Sequence, residues 1–90
     1  MRFEWDENKR ESNIAKHGID FLKLSLLFDG RPCLDFASPR GDEQRILRIG
    51  EIEGRVIAVA WTWRGDNVVR IISARSARDG EKGAYYQLYR

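Results

Sequence analysis

The 90 residues contain one cysteine, Cys33, and one histidine, His17. A lone cysteine cannot close an internal disulfide, which agrees with a reducing compartment. One histidine and one cysteine are too few for a structural zinc site, which usually takes four such ligands. No metal and no other cofactor is therefore expected. No apolar run approaches the roughly 18 residues of a membrane-spanning helix. The N-terminus also lacks the basic-then-apolar layout of a secretory signal, so a cytoplasmic protein without a membrane partner is expected. Internal repeats and low-complexity stretches are missing too. A chain of this length makes one domain, residues 1–90, with a thin core.

Neither sign of charge is in large excess. The formal net charge is +2 with a pI near 8.9, a weak sign of nucleic-acid binding. The distribution is more telling than the sum. Arg64, Arg70, Arg75 and Arg78 fall late in the chain, and guanidinium offers a planar fork of donors suited to phosphate. A charged fraction of 33% is also ordinary solubilising surface.

The pattern predicts an α+β fold. A short strand covers Arg2 to Trp5. Asp6 is a good N-cap and Gly18 a good C-cap for a helix from Glu7 to His17. Asp20 can cap a second helix, Phe21 to Phe28, with Phe21, Leu24, Leu27 and Phe28 at helical spacing. Gly30 and Pro32 break it, and Cys33 to Phe36 reads as a strand. Arg45 to Glu51, Val56 to Trp63 and Val68 to Ala74 follow as strands joined by short turns, hence adjacent and antiparallel. The segment Val56 to Trp63 is the most apolar and is expected at the centre. A last helix covers Ala77 to Tyr89. Gly80 and Gly83 weaken it by roughly 1 kcal/mol each relative to alanine, so it depends on docking. The expected architecture is a four-stranded, possibly five-stranded, mostly antiparallel sheet with its helices on one face.

Several residues suit RNA cleavage without a metal. That reaction needs a base, an acid and cations around one phosphate. Lys9, Asn13, Lys16 and His17 sit three or four residues apart, on one helical face. The spacing suits a phosphate-binding surface and equally a solvated face. Imidazole titrates near neutral pH, yet a histidine before a C-cap glycine also complements the helix dipole. Asn13 within a helix needs a partner, and a hydrogen bond to a neighbouring loop is one. Strict alternation groups Val68, Arg70, Ile72 and Ala74 on one face of their strand, and Val69, Ile71, Ser73 and Arg75 on the other. Arg75 and Arg78 flank the start of the last helix, whose free N–H groups favour anions. Both also suit pairing with Asp79 and Glu81. Trp61 and Trp63 read as core or interface, and Tyr85 and Tyr89 as the stripe that docks the last helix.

The segment Phe3-Glu4-Trp5-Asp6, with Lys9, Asn13, Lys16-His17-Gly18-Ile19 and Phe21, resembles the opening of the BrnT family of bacterial toxins. Further matches are Arg48-Ile49-Gly50, Gly54, the run Arg70-Ile71-Ile72-Ser73-Ala74-Arg75 with Ala77, then Glu81 and Tyr85. The resemblance implies a RelE-like fold and a ribonuclease toxin that cuts RNA and inhibits translation. It also implies neutralisation by a cognate antitoxin with a ribbon-helix-helix DNA-binding domain, through which alone operator DNA is reached. Carried over, it implies catalytic roles for Arg75, His17, Lys9, Glu81 and Tyr85. Arg64, Arg70, Arg78, Lys16 and Asn13 are the expected RNA-binding residues. The family commonly has a second arginine after the one matched by Arg75, where this chain has Ser76. Two other readings fit the residues. A non-catalytic RNA- or ribosome-binding module would bind RNA with steep salt dependence and leave it intact. A pure protein-interaction domain would use its aromatics as a partner surface.

Overall fold

The computed structural model describes residues 1–89. In chain order they form β1 (Arg2–Glu4), α1 (Glu7–His17), a 3-10 helix (Phe21–Phe28), β2 (Cys33–Ala37), β3 (Ile46–Ile52), β4 (Arg55–Trp63), β5 (Val68–Ser76) and α2 (Asp79–Tyr89). Local chemistry explains the boundaries of α1. The Asp6 carboxylate accepts hydrogen bonds from the Asn8 and Lys9 N–H groups, and Gly18 closes the helix in the left-handed region with φ 67°. Asp20 caps the second helix by accepting from the Leu22 N–H. That helix is wound as a 3-10 helix, and its buried residues are Phe21, Leu24 and Leu27. With three residues per turn, a spacing of three keeps all of them on one face. Glu53 and Gly54 both have positive φ (53° and 79°), the backbone that a tight hairpin between β3 and β4 requires.

The sheet has five strands in the order β1-β5-β4-β3-β2. β1 is an edge strand parallel to β5, and the other neighbours are antiparallel. β4 lies at the centre, as its composition predicts. One departure concerns the helices. α1 and the 3-10 helix cover one face, where Phe21, Leu24, Leu27, Ile57, Val59, Trp61, Val69, Ile71 and Ala74 form the larger core. α2 lies on the opposite face, where Tyr85 and Ala77 pack with Ile49, Val56 and Ala58. The reason is written in β4. Its apolar residues alternate without a polar gap, so both faces of the strand need covering. α2 shields only part of its face, and this leaves an open strip of sheet.

The ion pair of Arg10 with Asp20 ties α1 to the cap of the 3-10 helix. It is bidentate, at 2.7 and 2.9 Å. The Arg10 guanidinium and the Leu22 N–H hold the Asp20 carboxyl down at about 2, from an ordinary 3.8. A depressed carboxyl contributes stability above its unfolded value, and that contribution is lost as pH falls through the folded value. Wild-type protein is therefore expected to lose stability between about pH 4 and 2 more steeply than Asp20→Asn. Urea midpoints across that range check this, and parallel pH curves for the two proteins would refute it.

Candidate functional site

The open strip is built mainly by β5. Strict alternation would put Arg70 and Arg75 on opposite faces. The structure corrects this, because a β-bulge lies between β4 and β5: Ala60 pairs with Ser73, but Trp61 pairs with Ile71. The extra residue, Ile72, reverses the phase of the strand. Arg70 lies opposite Thr62 and Arg75 opposite Ala58, which are on the same face of β4. Both arginines therefore project from the α2 side of the sheet, with Ser73 between them. Ala74 joins Val69 and Ile71 in the larger core.

At one end of the strip the Arg75 guanidinium donates to both Glu81 oxygens, at 2.8 and 3.0 Å. Glu81 also accepts the Arg78 N–H at 2.8 Å. The contact is half of a capping box, in which a third-position carboxylate reaches back to the helix entry. It explains how α2 starts despite its glycines. The bond from Arg75 holds the Glu81 carboxyl below its usual range and raises the guanidinium in turn. Glu81 is thus a carboxylate that orients Arg75, and a weak base. Tyr85, one turn further on, is buried under α2. Its ring meets those of Tyr86 and Tyr89, and the Tyr89 hydroxyl donates to the Cys33 carbonyl at 2.9 Å. These contacts supply the docking that the weak helix needs. Burial raises the Cys33 thiol, so it stays protonated at neutral pH.

At the other end Glu4 stands between two arginines, 3.5 Å from Arg64 and 3.6 Å from Arg70. Sequence reasoning missed Glu4 as a member of this group. Only the parallel pairing of Glu4 with Arg70 brings residues so far apart in the chain together.

Along the strip's border, Lys9, Lys16 and His17 line a depression with Asn8, Ser12, Asn13, Ile72 and Ser73. None of these lining residues is a carboxylate. Ser73 belongs both to this depression and to the row between Arg70 and Arg75. It therefore joins the α1 cations to the β5 arginines. Periodicity gave no sign of its importance, because an isolated serine in a strand carries no signal.

Asn13 stands apart from its neighbours. It is buried; its Nδ2 donates to the Ile19 carbonyl at 3.1 Å and its Oδ1 accepts from the Ala74 N–H at 3.0 Å. β1 ends before Ala74, and the Asn13 amide takes the place of a strand on that edge. Asn13→Ala is expected to destabilise the protein by about 1–3 kcal/mol, the scale of a stranded buried polar group. Urea denaturation measures this, and an unchanged midpoint would refute it.

Ser76 projects away from Arg75, toward α1. Its hydroxyl accepts from Arg55 at 2.6 Å, and the same guanidinium donates to the His17 carbonyl at 3.1 Å. A side chain at position 76 does not reach the Arg75 side of the sheet, and Arg55 supplies the cation beside it. Arg78 is exposed at the mouth of α2.

A family model described as the ribonuclease toxin BrnT of a type II toxin–antitoxin system matches residues 5–81. The chain belongs to the BrnT family. A solved relative, the Brucella abortus ribonuclease toxin BrnT, is 36% identical with a TM-score of 0.69, over 88% of this chain and 99% of that one. Comparison with curated proteins gave no match. Membership makes this chain one of a family of type II ribonuclease toxins. RNA is the substrate class and an antitoxin the partner class that such a system implies. Among the described residues no helix is long and apolar enough to cross a membrane.

Proposed function

We propose that this BrnT-family chain is an endoribonuclease toxin that cuts RNA without a metal ion and thereby inhibits translation in the cytoplasm. The observation that carries the reading is the place of Ser73, which lies both in the depression lined by Lys9, Lys16 and His17 and in the row between Arg70 and Arg75 on the α2 side of the sheet. In the proposed reaction the 2′-hydroxyl of the substrate attacks the adjacent phosphorus. A base takes its proton, the bond from phosphorus to the 5′-oxygen breaks, and an acid protonates that oxygen. A 2′,3′-cyclic phosphate remains and can hydrolyse to a 3′-phosphate. Arg75, aimed by Glu81, neutralises the charge that develops on the phosphate, and Arg70 and Lys9 hold the neighbouring backbone. His17 is the proton-transfer candidate on the α1 side, since Glu81 is held as a weak base. Lys16, Arg64 and Arg78 extend the positive margin. Tyr85 supports the site from beneath α2. No group of three or more His, Cys, Asp or Glu comes together among the described residues, so side chains carry the proton transfers in this reading.

The partner in this reading is an antitoxin with a ribbon-helix-helix domain, which alone contacts operator DNA. It covers the basic face, as interfaces rich in Trp, Tyr and Arg do. Purified protein should cut an oligoribonucleotide in EDTA and leave a 2′,3′-cyclic or 3′-phosphate end. Loss of cleavage in EDTA with full rescue by magnesium would overturn the metal-free mechanism. Expression of the chain alone should arrest growth, and co-expression of an adjacent antitoxin frame should restore it. Harmless expression of folded protein would overturn the toxin role.

A further inference from the structure

Phe36 is a large apolar side chain left in solvent, 43% exposed. Among the described residues, Phe3, Phe21 and Phe28 each meet another aromatic ring, and Phe36 meets none. Its position is set by the sheet. Phe36 pairs with Leu47, Leu47 with Ala60, and Ala60 with Ser73. Residues directly opposite each other share a face, so the four form one straight row across β2, β3, β4 and β5. Leu34, the next β2 residue on that face, packs under α2 with Ile49 and Val56. Phe36 lies beyond the helix. The opposite border is the loop after β2, held by the Arg40 and Glu43 backbone pair and by the Thr62 hydroxyl donating to the Gln44 carbonyl at 2.8 Å.

The row thus starts at a bare aromatic ring and ends between two guanidinium groups. Its middle is Leu47, partly buried against the smaller core, and the short side chain of Ala60. Three strand spacings make it roughly 14 Å long. That span exceeds the reach of one nucleotide from its own phosphate. A single strand that runs along the row from a phosphate at Arg75 would bring the base of a flanking nucleotide over Phe36. We propose that Phe36 is a stacking platform for an unpaired base beside the cleaved phosphate, which makes single-stranded RNA the substrate class. The inference rests on the RNA-cleavage reading. Every base has a π-face, so an exposed ring on a cationic surface holds it whatever its identity. The charge of the face argues for this occupant, because an apolar ring continuous with arginines and with the Lys9, Lys16 and His17 border complements a polyanion.

The experiment uses the full chain and a single-stranded oligoribonucleotide with one mapped cleavage site, carrying an abasic nucleotide at each flanking position in turn. For wild type, an abasic nucleotide at one flanking position should lower kcat/KM about five- to hundredfold, the range of one lost base stack. Phe36→Leu should cut the intact oligonucleotide more slowly by a similar factor, and the abasic nucleotide should then have no added effect. Phe36→Trp should cleave close to wild type. The same sequence as a duplex should resist cutting. Melting temperatures should be nearly unchanged, since Phe36 is exposed. If wild type cleaves while Phe36→Leu retains both its rate and its sensitivity to the abasic position, the platform is refuted and the cleavage reading stands. If Phe36→Leu cleaves normally but escapes neutralisation by the antitoxin, the ring belongs to the protein interface and the proposal falls. If wild type cuts no RNA, both readings fall together.

Discussion

Replacing Arg75 with alanine is expected to slow RNA cleavage by roughly two orders of magnitude or more, the scale seen when one electrostatic stabiliser is removed. The guanidinium is held by Glu81 in a two-bond fork, so in the proposed reaction it would meet the phosphate already oriented. Charge stabilised only in the transition state acts on turnover more than on binding, so kcat should fall further than KM rises. Arg75→Lys should rescue only in part, because lysine lacks the planar fork. The sequence suggests an exposed arginine whose removal leaves folding untouched. The structure shows instead a side chain only 27% exposed and ion-paired. A small drop in melting temperature should therefore accompany Arg75→Ala, since Glu81 loses its cation and keeps the Arg78 N–H. Lys23→Ala is the control, because its pair with Glu53 is exposed on the far side and such pairs contribute little. Cleavage by Arg75→Ala at the wild-type rate would move the site to the Lys9, Lys16 and His17 side.

The largest effect on stability is expected at Trp61. It is buried toward the end of β4, the central strand, edge-on to Phe28 at 5.0 Å and to Trp63 at 5.2 Å. The Arg48 guanidinium lies 5.2 Å from its ring and 4.4 Å from that of Phe28. Arg48 is fastened there by both Asp35 oxygens and the Leu27 carbonyl. Trp61→Ala should cost about 3–5 kcal/mol, against a total of about 5–15 kcal/mol for a typical domain. Much of the protein should then be unfolded in mild urea. Trp61→Phe should cost only about 1–2 kcal/mol. The buried indole N–H has no hydrogen-bond partner among the described residues, so its removal strands nothing. Equal urea midpoints for the alanine variant and wild type would refute this account of the core.

Much of this was legible in the residues. Asp6, Gly18 and Asp20 mark helix ends because a cap is a local event, decided within a few residues of chain. The central place of β4 follows from its unbroken apolar run. The weak last helix follows from Gly80 and Gly83. Its dependence on docking follows too, since a helix short of propensity needs tertiary contacts. The family is also visible in the order of Lys9, His17, Arg75 and Glu81.

What the residues alone could not decide was which side of the sheet each element takes. A two-residue alternation holds only while the ladder is regular, and the bulge at Ile72 is a property of two strands pairing. It turns Arg70 and Arg75 to one face, whereas alternation alone separates them. The same holds for Asn13: its spacing places it among the helix cations, yet contact with the β5 edge buries it as a strand substitute. Glu4 and Arg70, Arg55 and Ser76, Phe36 and Ser73 are each far apart in the chain, and only sheet register brings them into one row or one bond. The sequence by itself determined the order of the elements, their ends to within one or two residues, and the family, because those depend on neighbouring residues. The tertiary structure decided the composition of the site, because strand register and face are set by partners distant in sequence.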